Sequence, residues 1–156
     1  MADFFDNENE PSIVASSGEM DFYYNGGPLI TISDIAPSND PFITKTFTIN
    51  ANNTTDEEML YQINLEIIDN SFEQNSISYT LKGTNLDNKG ILSTDVLTKE
   101  GIGKEDVNLG IGKFIGKVTN AAHSYEIKFY FYRDNYNQLD DLGKIFKANI
   151  NIESKK

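Results

Sequence analysis

A chain of 156 residues, 38% hydrophobic and 12% aromatic with a mean hydropathy of −0.43, can bury one real core, which excludes wholesale disorder. The absence of cysteine excludes a disulfide framework, a zinc-thiolate site and a cysteine nucleophile together. Thirteen basic against 24 acidic residues give a formal net charge of −11, which nucleic-acid backbones repel, so no nucleic-acid partner is expected.

The aromatics are ten Phe and eight Tyr with no Trp, a composition that favours strands. Residues 1–17 are polar and acidic, broken by Phe4-Phe5 and Ile13-Val14, and Pro11 bars them from a central strand. They read as an extended N-terminal arm, with the remaining domain over residues 18–156. Short runs of alternating apolar residues follow, divided by turn residues. Residues 20–24 are the first, ended by Asn25-Gly26-Gly27-Pro28, and residues 29–33 place Ile30 and Ile32 on one face. After a loop over 35–41, residues 42–51 alternate cleanly. Ile43, Phe47, Ile49 and Ala51 face one way, and Thr44, Thr46, Thr48 and Asn50 the other. Residues 60–68 and 77–82 repeat the pattern through Tyr61, Ile63, Leu65, Ile67 and through Ile77, Tyr79, Leu81. The Gly-, Asn- and Asp-rich segment 83–112 reads as loop with one short strand. Residues 113–119, 124–133 and 143–153 complete eight strands. Only 56–60 and 137–142 look able to form a helical turn. Evenly spaced strands with Gly/Asn turns predict an all-β, jelly-roll-like antiparallel β-sandwich.

Chemistry-bearing patterns are sparse, and no enzyme, cofactor or metal site is expected. The single histidine, His123, sits at a strand entry and reads as a surface residue. A His-Ser-Asp set can be assembled on paper, but no Gly-x-Ser-x-Gly elbow accompanies it. A zinc protease needs two histidines one helical turn apart. Gly101-Ile-Gly103 and Gly110-Ile-Gly112 do not continue into a phosphate-loop pattern and read as turns. Glu57-Glu58 and Asp140-Asp141 lack calcium-loop spacing and read as solvated pairs. Asn52-Asn53-Thr54-Thr55 holds two overlapping N-x-T sequons in a turn that calls for Asn anyway.

Charge is unevenly placed. Asp3, Asp6, Glu8, Glu10, Glu19, Asp21, Asp34 and Asp40 all precede the first basic residue, Lys45. The body carries every Lys and Arg, including Lys144 and Lys147 on the last strand. An acidic arm facing a more basic neighbour is a directional device; a plain solvated acidic terminus is the competing reading. No apolar run is long enough to span a bilayer, so no membrane span is expected. The opening Met1-Ala2-Asp3-Phe4-Phe5 suits a mature chain whose export signal has been removed.

The order of these features resembles the TasA/camelysin family of bacterial biofilm-matrix and surface fibre proteins. Ala2-Asp3-Phe4-Phe5-Asp6-Asn7 is similar to that family's Ala-Phe-Phe-Asn-Asp opening, with Asp3 inserted. Residues 13–21, Ile-Val-Ala-Ser-Ser-Gly-Glu-Met-Asp, are similar to its Ala-Ser-Gly-x-Leu-Asp stretch. Residues 30–37 with Thr44-Lys45-Thr46-Phe47-Thr48-Ile49-Asn50 resemble its Leu-x-x-Leu-x-Pro-Gly…Lys-x-Phe-x-Phe-x-Asn-x-Gly, with Ser38 in place of Gly. Residues 143–150 resemble its closing strand, while 70–112 match loosely and the central insertion of TasA itself is missing.

The resemblance implies a secreted structural subunit of an extracellular fibre, at the cell surface or in a matrix. It would form a homopolymer head to tail, donating its N-terminal strand to the next subunit. The interface residues so implied are Ala2, Asp3, Phe4, Phe5, Asp6, Ile13 and Val14, and a minor fibre or anchoring protein would be a further partner. Residues 2–13 span ~40 Å at ~3.3 Å per residue, enough to cross a sandwich, and a contact that does not close on itself yields a filament. The alternative is a monomeric cell-surface binding module for carbohydrate or protein, with Tyr23, Tyr24, Tyr130, Tyr132 and Tyr136 as its stacking face.

Overall fold

The computed structural model describes residues 12–16, 20–25, 27–33, 35, 37–72, 76–85, 90–91, 96–131 and 143–155. Among them lie eleven strands: β1 Ser12–Ser16, β2 Met20–Asn25, β3 Ile30–Ser33, β4 Ile43–Asn53, β5 Met59–Asn70, β6 Ile77–Asn85, β7 Gly90–Ile91, β8 Val96–Ile102, β9 Val107–Phe114, β10 Val118–Phe131 and β11 Ile145–Lys155. The period-2 expectation holds along the middle of the long strands. Along β10 and β11 exposure alternates through Tyr125, Ile127 and Phe129, and through Phe146, Ala148 and Ile150, all buried.

The strands form two antiparallel sheets, ordered β1-β2-β4-β10-β6-β8 and β3-β11-β5-β9-β7. The pairs β3/β11, β4/β10, β5/β9 and β6/β8 are successive rungs of one long antiparallel ribbon. Rungs alternate between the sheets, so β3-β11-β5-β9 faces β4-β10-β6-β8, which is jelly-roll topology. The hairpin β1/β2 is added outside β4, and the two-residue β7 outside β9.

Facing side chains of the two sheets fill the space between them. Phe129 of one sheet meets Phe146 of the other at 5.6 Å between ring centres, and Phe22 meets Tyr61 edge-on at 5.9 Å. Each such ring, once buried, contributes about 1.5–3 kcal/mol. Two buried asparagines close the ends. Asn53 donates to the carbonyls of Glu57 (2.6 Å) and Ile115 (3.3 Å) and accepts from Thr55, tying the β4–β5 turn to the β9–β10 turn. Asn70 donates to the carbonyl of Gly103 (2.8 Å) and accepts from the Phe72 amide, tying the end of β5 to the β8–β9 turn. Asn53 is fully buried, which removes it as a glycan acceptor in the folded chain.

Three expectations change. Segment 83–112 carries the end of β6, then β7, β8 and most of β9, where one short strand was expected. Its glycines hid the alternation: Gly112 lies within β9 directly opposite Tyr61, and Gly110 (φ 146°) sits at a bulge. Residues 56–60 form bends leading into β5 and no helical turn, while 137–142 lie outside the described residues. Eight expected strands become eleven because β1, within the expected arm, and β7 and β8 are added, while 113–119 divides between β9 and β10 at the tight turn of Gly116-Lys117.

Candidate functional site

The interior between the sheets holds a polar hub, and it includes the residue expected at the surface. His123 is fully buried, because it shares the inward parity of Tyr125 and Ile127 on β10. Its ring stacks on Phe114 with centres 4.0 Å apart, and its Nδ1 lies 2.7 Å from the hydroxyl of Tyr61. That hydroxyl is also 2.6 Å from the hydroxyl of Tyr125, itself stacked on Phe47. A consistent arrangement has Tyr125 donate to Tyr61 and Tyr61 donate to an unprotonated Nδ1. Ser124 lies on the opposite face of the strand, so no His-Ser pair forms. The hub is sealed between the sheets; its chemistry is to fix one packing of the core.

Burial pushes the Tyr61 hydroxyl well above the usual tyrosine range, with Tyr125 adding to the effect, and burial pushes Tyr24 up as well. A raised value means that the folded chain keeps a proton the unfolded chain would lose. Their contribution to stability is therefore complete below the ordinary value of about 10 and is lost as pH rises beyond it. We expect the urea midpoint to fall steeply above about pH 10. Tyrosinate absorbance at 295 nm should show these two groups ionising only with unfolding.

Other sequence candidates disperse. Glu58 pairs with Lys113 at 2.9 Å on the surface, and no group of three or more metal-ligating side chains occurs among the described residues. Asp140-Asp141 lie outside those residues. Gly101 belongs to β8 and Gly110-Ile-Gly112 to β9, so neither glycine pair forms a phosphate loop. Tyr24 points inward against Phe47, Tyr23 points outward with its hydroxyl 3.5 Å from Asp21, and Tyr130 is buried beyond the far end of β4. Tyr23 and Tyr130 have the outward parity of the same sheet, but Tyr23 is level with Ala122, eight residues from Tyr130 along β10, so the three form no stacking face; Tyr132 and Tyr136 lie outside the described residues.

The strand edges are the remaining feature. Ala2, Asp3, Phe4, Phe5 and Asp6 lie outside the described residues. Ile13 and Val14 lie in β1, paired antiparallel with β2 of their own chain, Val14 at a bulge between Ile13/Tyr23 and Ala15/Phe22. β1, which residues 1–11 precede in the chain, is an edge of the six-stranded sheet. A second edge lies close by. β4 has eleven residues, but β2 covers only Thr48–Asn53, the pairing stopping at Asn25/Thr48. Residues 43–47 therefore have β10 on one side and no strand on the other among the described residues. Here the chain turns through Gly27 (φ 65°), Pro28 and Leu29 to reach β3 in the other sheet. A groove of about 610 Å³ remains, lined by residues 27–31 and 43–48.

One side chain in this groove breaks the pattern of β4. Lys45 occupies an inward position between Ile43 and Phe47, and its Nζ donates to the Pro28 carbonyl at 2.7 Å. An inward-pointing charge at an edge is a device by which sheets refuse unspecific pairing. The parity of Lys45 is visible in the sequence, as a lone lysine on an otherwise apolar face.

Comparison with family models, with curated proteins and with solved structures finds no match to this chain. No helix among the described residues is long and apolar enough to cross a membrane.

Proposed function

We propose that the chain is a secreted structural subunit of an extracellular bacterial fibre, assembling head to tail by donating its N-terminal strand to the next subunit. The observation that carries this reading is the place of β1 at an edge of the jelly-roll sandwich, from which the residues preceding it in the chain can pair with a neighbour without breaking a central pairing. The resemblance of the two chain ends to the TasA/camelysin family supports it. So does the arm's charge, four acids and no base over residues 1–11. Backbone pairing would supply much of the affinity, with Phe4 and Phe5 as apolar anchors.

Deleting residues 2–12 tests the reading. The truncated chain should keep its far-UV β spectrum and cooperative melt yet form no filaments by negative-stain electron microscopy, at concentrations where the full chain does. Filaments from the truncated chain, as long and as numerous as the parent's, would overturn it.

A further inference from the structure

We infer that the open edge of β4, residues 43–47, is the seat for residues 1–11 of a second copy, with Lys45 reading an acidic residue of the incoming strand. The inference rests on the fibre reading and adds where the strand goes and what selects it.

Geometry identifies the seat. The open stretch is five residues, ~17 Å, bordered by a groove whose far wall is residues 27–31. Leu29, half exposed, and Ile43, partly buried, present apolar surface at its rim. Lys45 is the only charged residue among those lining it, in a chain of net charge −11. The eleven residues before Ser12 carry Asp3, Asp6, Glu8 and Glu10 and no base. Fully extended they reach ~36 Å, enough to fill the open edge and still bridge to their own domain.

Direction decides between the chain's own arm and another copy's. Ser12 stands opposite Tyr24, and Tyr24 opposite Ile49; Ser16 stands opposite Asp21, and Asp21 opposite Asn52. β1 thus runs parallel to β4, and its own arm, continued backward from Ser12, could meet residues 43–47 only in parallel. Every pairing among the described strands is antiparallel, and antiparallel pairing is the stronger per residue. A second copy's arm is free to enter antiparallel. In doing so it brings a carboxylate to Nζ of Lys45 in exchange for the Pro28 carbonyl. A strand without an acid at that register would strand the lysine beside an apolar segment, so the residue that blocks casual pairing also admits the matching arm.

The cysteine-free background makes the test clean. One preparation carries Thr46→Cys, on the outer face of the open edge; others carry Ala2→Cys, Phe5→Cys, Asn7→Cys or Asn9→Cys, the positions that stand opposite residue 46 when Asp3, Asp6, Glu8 or Glu10 stands opposite Lys45 in an antiparallel pair. Mixed during assembly and oxidised, one arm position should give a disulfide-linked dimer at least tenfold above Lys82→Cys, an exposed control on β6. Failure of every arm position to exceed that control overturns the inference, whereas filament loss on deleting 2–12 reports on strand donation separately. A chain bearing both cysteines that cross-links within itself at high dilution would make its own arm the occupant and also overturn it. Independently, Lys45→Glu should slow filament elongation about tenfold at low salt while leaving the monomer folded by circular dichroism. Neutralising the arm (Asp3→Asn, Asp6→Asn, Glu8→Gln, Glu10→Gln) in that variant should restore most of the rate. Elongation of Lys45→Glu at the parent rate would remove Lys45 from the selection.

Discussion

Replacing Gly112 with alanine is expected to lower the melting temperature by roughly 6–12 °C, the result of losing about 3 kcal/mol in a domain of this size. Gly112 faces Tyr61 across the β5/β9 pair, and the tyrosine ring leans over it. A methyl group at position 112 would fall on the Tyr61 hydroxyl and ring carbons. The ring has nowhere to retreat, because its hydroxyl is bonded to His123 and Tyr125 and its faces meet Phe22 and Phe114. Gly112 is outside the left-handed region, so the cost is one of space and not of backbone strain. Tyr61→Phe should not rescue the variant, since ring carbons are themselves in the way. Tyr61→Leu should, giving a double variant whose loss is smaller than the sum of the two singles. Melts and urea titrations of the four chains complete the cycle; an unchanged melt for Gly112→Ala would show the ring free to move.

Asn53→Asp should cost about 3–5 kcal/mol, while Asn52→Asp next to it should change stability by no more than ~0.5 kcal/mol. Asn53 is fully buried and uses both halves of its amide. Its oxygen accepts from the Thr55 amide (3.0 Å) and hydroxyl (2.7 Å), and its nitrogen donates to two main-chain carbonyls. Aspartate keeps the acceptor side but turns a charged oxygen toward those carbonyls in a place without solvent. The deficit should shrink as pH falls, because protonation removes the charge and lets the acid donate to one carbonyl. Asn52, by contrast, only accepts, its oxygen taking the amide of Asn120 at 2.8 Å, and a carboxylate does the same. Urea midpoints at neutral and mildly acidic pH separate the two variants. Equal losses at both positions would show that the buried amide does not hold the two turns together.

Both effects belong to a fold whose class is written plainly in the chain. Alternation along β4, β5, β6, β10 and β11 fixes strand identity and inward face, since it reports the pleat and burial together. The same parity places His123 with Tyr125 and Lys45 with Phe47. His123 was nonetheless expected at the surface, because its small neighbours Ala121, Ala122 and Ser124 look like a strand entry and only the pairing with β4 carries β10 back to Val118. Segment 83–112 failed for the opposite reason. Its glycines serve a partner on another strand, and a residue that makes room for Tyr61, 51 positions away, has no local signature.

By itself the sequence determined the all-β class, the strands with strong alternation, the acidic base-free arm and the absence of any cysteine-dependent chemistry. These are local or compositional properties, readable without knowing any partner. Only the tertiary structure decided the rolled pairing of β3 through β11, the sealed Tyr61–His123–Tyr125 hub and the premature departure of β2 from β4. An edge exists only where a neighbour is missing, and which strand ends up beside which is set by long-range pairing rather than by the residues of the strand itself.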